Sequence, residues 1–152
     1  RLLPTSTEQV MHPDRFPGDE PTDVDAPDVS IALEGAWEEI DVYDAGEAWL
    51  YLALSLRLGT PGQPCARCLD AVAGWDGGEY RAWQSGDRTA ILMDTAWDTP
   101  KDAADFLKAM REYLGKTASG SVARGFRQGT RVVVLWAETA EQLDLMASAL
   151  RE

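Results

Sequence analysis

Two successive stretches of this chain spell the same order of elements, and that order limits its fold more than any other feature. In the first, residues 80–83 and 89–97 carry aromatic and branched residues on either side of Gln84-Ser85-Gly86-Asp87, which reads as a hairpin. A helix follows: Thr99 is placed to cap it, Pro100 fits its first turn, and Ala103, Phe106, Leu107, Met110 and Leu114 recur at helical spacing. In the second, residues 121–127 and 131–137 are strands around Gln128-Gly129-Thr130. Thr139 and Gln142 form a capping box before a helix that presents Leu143, Met146, Ala147 and Leu150. Each helical stripe needs a sheet to pack on. The expected fold is therefore α+β, an antiparallel sheet with helices packed on one side and two successive strand-strand-helix units.

Upstream, GWDGGEY reads as a tight turn feeding the first hairpin strand, because it packs three glycines into five residues. Residues 36–43 offer a further strand. Asp44 and Glu47 then read as a capping box for a helix running to about Leu58, so apolar that burial on most sides is expected. Before that, residues 4–13 suggest a short helix capped by Thr5 or Ser6, with Glu8 or Gln9 three residues on, and ended before Pro13. The stretch FPGDEPTDVDAPDVS is too rich in Pro and Asp for a regular element and reads as a wrapping arm or a tether. Residues 1–30 are accordingly an N-terminal arm and 31–152 a single α+β domain, since no Gly/Ser linker divides the chain.

The formal charge of −12 belongs to the N-terminal third. Residues 1–50 hold 13 of the 26 acidic residues and two basic ones, Arg1 and Arg15. A phosphate-binding surface needs the opposite balance, so nucleic acid is not an expected partner, whereas a basic partner surface or simple solubility accounts for the acidity equally well. No apolar run is long enough to span a bilayer. Six tryptophans, at 37, 49, 75, 83, 97 and 136, are expected chiefly as core at the sheet–helix boundary. A saccharide or aromatic-ligand platform would need several of them exposed together.

The motifs of catalysis are mostly missing. There is no HExxH, GxSxG, P-loop or GxGxxG, and His12 is the only histidine. Cys65 and Cys68 have CxxC spacing but lack the further ligands a complete zinc site needs, leaving a local disulfide or inert thiols, a redox pair, or metal ligation shared with another chain. Asp94 and Asp98 would form a carboxylate pair only if the chain turned sharply at Trp97. Otherwise Asp98 is expected to help cap the next helix, with Asp102 and Asp105 favoured by its dipole. Glu47 reads as a helix cap. No catalytic residue, metal ligand or cofactor is assigned.

The segment PTSTEQVMHPDRF resembles the PxSTEQxLHPxKY segment of uncharacterised, mostly secreted or lipoprotein, bacterial and archaeal proteins that look like distant zinc metallopeptidases. AGEAWLYLALSL is similar to their GEFxLxxxL helix, AGWDGGEYRAW to their AAxGWGGDRYxxY turn, and WDTPKDAADFLKAM to their WDTxxDAxEF helix start. The likeness touches most of residues 4–114. Where that turn has Gly-Gly-Asp-Arg, this chain has Asp76-Gly77-Gly78-Glu79, and the CxxC is not shared. The resemblance implies an extracytoplasmic, noncatalytic accessory or scaffold domain lying downstream of an HExxH-bearing domain in the same parent protein. That upstream domain is its implied partner, and His12, Glu47, Trp75 and Asp98 are the implied contact candidates. The alternative is an independent extracytoplasmic module that binds a peptide or saccharide through exposed tryptophans.

Overall fold

Consecutive buried residues in the long hairpin, such as Leu92 and Met93, give the sheet two apolar faces, and the rest of the chain is arranged to cover both. The computed structural model describes residues 3–116 and 121–151. Its hairpin consists of β2 (Trp75–Ser85) and β3 (Arg88–Trp97), joined by the two-residue turn Gly86-Asp87, with Gly86 at φ +65°. A second hairpin pairs β4 (Val122–Gln128) with β5 (Arg131–Ala137) through Gly129-Thr130, with Gly129 at φ +61°. Both connections are one or two residues tighter than the sequence suggests, because glycine permits the positive φ that two-residue hairpin turns demand. With β1 (Glu38–Asp44) the five strands form one sheet in the order β1-β2-β3-β5-β4, every neighbouring pair antiparallel.

The fold is mixed α+β, with a helical layer packed to one side of this sheet. That layer is α2 (Glu47–Leu58), α3 (Ala66–Val72) and α4 (Pro100–Gly115), whose Leu50, Leu54, Val72, Phe106 and Met110 pack with Met93, Trp97, Val132 and Val134. In β3, Met93 lies opposite Val134, and Leu92, one residue away, lies opposite Leu135. Leu92 and Leu135 therefore face the second core. There the arm supplies Ala26 and Val29, the segment just after it Leu33, and α5 (Ala140–Ala149) supplies Leu143 and Met146. The strand-strand-helix order occurs twice, as β2-β3-α4 and β4-β5-α5.

Local signals start the last two helices. The Thr99 hydroxyl accepts the Asp102 N–H at 3.2 Å, with Pro100 in the first turn, and Thr139 with Gln142 completes the expected capping box. The expected role of Asp98 is not realised: Thr99 is the cap, and the Asp98 carboxylate turns to Arg15. α2 departs from expectation twice. Asp44 ends β1 and Gly46 is the N-cap, with no side-chain cap of its own. Instead, Thr7 Oγ1 from α1 (Thr7–Met11) accepts the Ala48 N–H at 3.3 Å, so the cap comes from another helix. Nor is α2 buried on most sides. Leu50, Leu54 and Leu58 are inside, but Trp49, Leu52 and Leu56 are exposed, because the sheet needs only one of its faces.

Only Gly74 of the GWDGGEY stretch lies in a turn, and the strand begins at once with Trp75. Its glycines serve close approach: the arm crosses β2 there, the Thr22 N–H bonding the Asp76 carbonyl, and a Cβ on Gly77 would lie 2.1 Å from the Thr22 carbonyl oxygen. Gly77→Val is expected to displace the arm at a cost of about 1–3 kcal/mol. The check is limited proteolysis, with new cleavage confined to residues 16–30 while the remaining domain stays resistant.

Candidate functional site

Two of the three buried acids among the described residues, Glu8 and Glu47, meet where α1 abuts the start of α2. Ser6 caps α1 by accepting the Gln9 N–H, and Gln9 returns its side-chain oxygen to the Thr5 N–H at 2.8 Å. α1 is held tightly against α2, since a Cβ on Gly46 would come within 2.6 Å of Thr7 Oγ1. That close contact sinks Glu8 from one helix and Glu47 from the other, each only 1% exposed.

Each buried carboxylate receives one basic side chain from the turn after α1. His12 Nε2 meets Glu47 Oε1 at 2.9 Å. Arg15 donates from Nη1 to Glu8 Oε1 at 2.9 Å, and the same nitrogen lies 3.4 Å from Asp98 Oδ2 and 3.6 Å from Asp19 Oδ2. The second oxygen of both glutamates is buried with no hydrogen-bond partner among the described residues. Burial raises the Glu8 carboxyl to about 7; Asp19, Asp98 and Glu47 add to the rise and Arg15 opposes it. Glu47 is also raised, by burial against the opposing pull of His12 and Arg15. Asp98 moves the same way, through burial and the neighbouring Asp76, Asp19 and Asp102, again against Arg15.

Of the residues singled out from sequence, His12 and Glu47 are thus in contact, and Asp98 joins them through Arg15. Asp94 does not pair with Asp98; Arg131 holds it through both carboxylate oxygens. From sequence, Glu8 reads only as a capping partner at the start of α1 and Arg15 only as one of two basic residues in the first fifty. No spacing signal marks the cluster, since α1 ends at Met11 with His12 as its C-cap and Arg15 lies beyond Pro13, outside the helix. A carboxylate that orients a partly exposed imidazole is one half of a proton-transfer pair. Here the contact recorded for the His12 side chain is Glu47 itself, and the arrangement's evident work is to fasten the arm.

Beside the cluster lies an open groove of about 490 Å³, lined by Thr7, Thr22, Tyr43, Asp44, Trp49 and Trp75 among others. Trp75 is 4% exposed and its indole N–H is buried without a hydrogen-bond partner among the described residues. Three of the six indoles, Trp75, Trp83 and Trp97, belong to the core; Trp49 is half exposed and stacks on Tyr80 at 5.8 Å. Cys65 and Cys68 form a disulfide across the start of α3. Among the described residues, no group of three or more His, Cys, Asp or Glu is placed to hold a metal, and no helix is long and apolar enough to cross a membrane.

A family described as a domain of unknown function, DUF8575, matches residues 38–147. That span takes in the whole sheet, α2, α3, α4 and most of α5, and begins after the arm. No curated protein and no solved structure matches the chain.

Proposed function

The chain belongs to the DUF8575 family, and from that premise we propose that it acts as a noncatalytic accessory or scaffold domain of an exported metallopeptidase-like protein. The observation that carries this reading is the exposed face of α2. Trp49, Leu52 and Leu56 recur at helical spacing and are 48%, 59% and 89% exposed, an apolar strip of the kind an adjoining domain covers. The ion pairs of the arm support the same reading, because His12 to Glu47 and Arg15 to Asp98 fasten the arm to the domain. The Cys65–Cys68 bridge favours an oxidising compartment, in keeping with export.

The groove beside Trp49 and Trp75 favours a second reading, an independent extracytoplasmic module that binds a peptide. A saccharide platform draws less support, because three of the six indoles it would stack on are buried in the core.

The test is the intact mass and zinc content of the polypeptide that carries this sequence in its native source. A product much longer than 152 residues, with an HExxH segment and near-stoichiometric zinc, is the expected result. A product of this length without zinc would overturn the accessory reading and leave the binding module.

A further inference from the structure

β1 ends the sheet with its hydrogen-bonding side open. It pairs with β2 alone, and among the described residues no backbone bond reaches the outer side of residues 38–43. All seven of its residues are exposed, including Ile40, Val42 and Tyr43 at 51%, 38% and 68%. Folded proteins ordinarily cover or shorten such an edge, because its free N–H and C=O groups accept another strand. The irregularity between Glu39 and Asp41 disturbs the first half, but from Asp41 to Asp44 the register runs without a break against residues 82–79.

The charge on this edge selects among occupants. Glu38, Glu39, Asp41 and Asp44 put four acids on seven residues, in a chain of net charge −12. A second copy pairing β1 with β1 would set those acids against their own kind, and two chains of this charge repel at longer range. A basic strand meets the opposite situation. The edge also leads somewhere: Tyr43 and Asp44 line the groove that continues to Trp49.

We propose that β1 is a strand-addition site for an extended basic segment of a partner polypeptide, which pairs along residues 41–44 while its lysine or arginine side chains meet the β1 acids. An apolar side chain at the end of the added strand enters the groove against Tyr43 and Trp49. Backbone pairing supplies the affinity and the alternating side chains the selection. This deepens the accessory reading by naming the chemistry of the partner, and it rests on that reading only for who supplies the segment.

The probe is the peptide acetyl-Lys-Val-Lys-Leu-Lys-Val-Lys-amide, titrated into the full chain at near-physiological salt and followed by backbone amide shifts. Saturable binding is expected, with the largest shifts in residues 38–44 and slowed exchange of amides there. Acetyl-Lys-Pro-Lys-Leu-Lys-Pro-Lys-amide keeps the charge but lacks two backbone donors, and is expected to bind at least tenfold more weakly. Glu38→Lys with Asp44→Lys, both at exposed positions, is expected to cost a similar factor with unchanged circular dichroism; Asp44→Asn is the milder variant should that pair fail to fold. Absence of saturable binding, equal binding of the proline peptide, or shifts confined elsewhere would overturn the proposal. Concentration-dependent dimers broken by the same substitutions would assign the edge to a second copy and overturn it too. Because parentage is judged from the native polypeptide and not from this titration, failure of one reading is distinguishable from failure of the other.

Discussion

At pH 8 the Glu8→Gln variant is expected to hold its N-terminal arm more tightly than the native protein does, and at pH 4.5 the two are expected to be equal. The sign follows from linkage. The docked Glu8 carboxyl sits at about 7 against an ordinary 4.5, so its docked state prefers the proton. A group raised in this way contributes stability that is fully present below 4.5 and lost as pH rises through 7. The shift corresponds to about 3 kcal/mol at full ionisation. Glutamine mimics the protonated acid and keeps an oxygen for Arg15, so the variant avoids that loss. Asp19, Arg15, Asp98 and Glu47 face Glu8 and remain in place. Glu47 and Asp98 are raised as well, so the variant retains a weaker fall in the same direction. Protease resistance of residues 3–30, measured from pH 4.5 to 8, reads the effect. A native protein whose arm is held equally well throughout would contradict it.

Trp97→Ala is expected to be the more damaging change, costing about 3–5 kcal/mol of global stability. Trp97 is 2% exposed and stacks on Phe106 with ring centroids 4.4 Å apart, so it joins the end of β3 to the middle of α4. Its indole N–H donates to Thr95 Oγ1 at 2.9 Å, and that hydroxyl donates in turn to the Val132 carbonyl on β5 at 3.0 Å. Truncation therefore opens a cavity and removes the first link of a buried polar chain. Trp97→Phe keeps most of the packing and loses the N–H, and is expected to cost about 1–2 kcal/mol less than the alanine variant. Urea midpoints at constant slope would read both. Near-equal loss in the two variants would assign the cost to the hydrogen bond instead of the ring.

If β1 accepts a basic strand, the acidity of residues 1–50 has a division of labour. Glu8, Asp19 and Glu47 face the bases of the arm, whereas Glu38, Asp41 and Asp44 lie on an open edge. The first set is buried or paired and its charge is offset by His12 and Arg15. The second is exposed to a partner, although Asp41 also accepts the Tyr80 hydroxyl and Glu39 lies 3.6 Å from Arg81. The apolar strip of α2 begins beside this edge, at Trp49, so an adjoining domain and an added strand would occupy neighbouring ground.

What the sequence determined by itself was whatever depends on neighbours along the chain. The two strand-strand-helix units, the Thr99 and Thr139 caps, and the alternation that puts Met93 and Leu92 on different faces all follow from spacing and local hydrogen bonding. Tertiary structure alone decided the features that join distant segments. Gly77 looked like a turn glycine because the arm that fills the space of its missing Cβ lies some fifty residues earlier in the chain. Asp44 looked like a cap because nothing near α2 announces that Thr7 will take that role. The acid cluster was half legible: His12 and Glu47 stood out singly, but their pairing, and the burial that raises Glu8, exist only once α1 is pressed against α2. A pKa shift is a property of what surrounds a group in space, and sequence spacing specifies that only within a turn or two of helix.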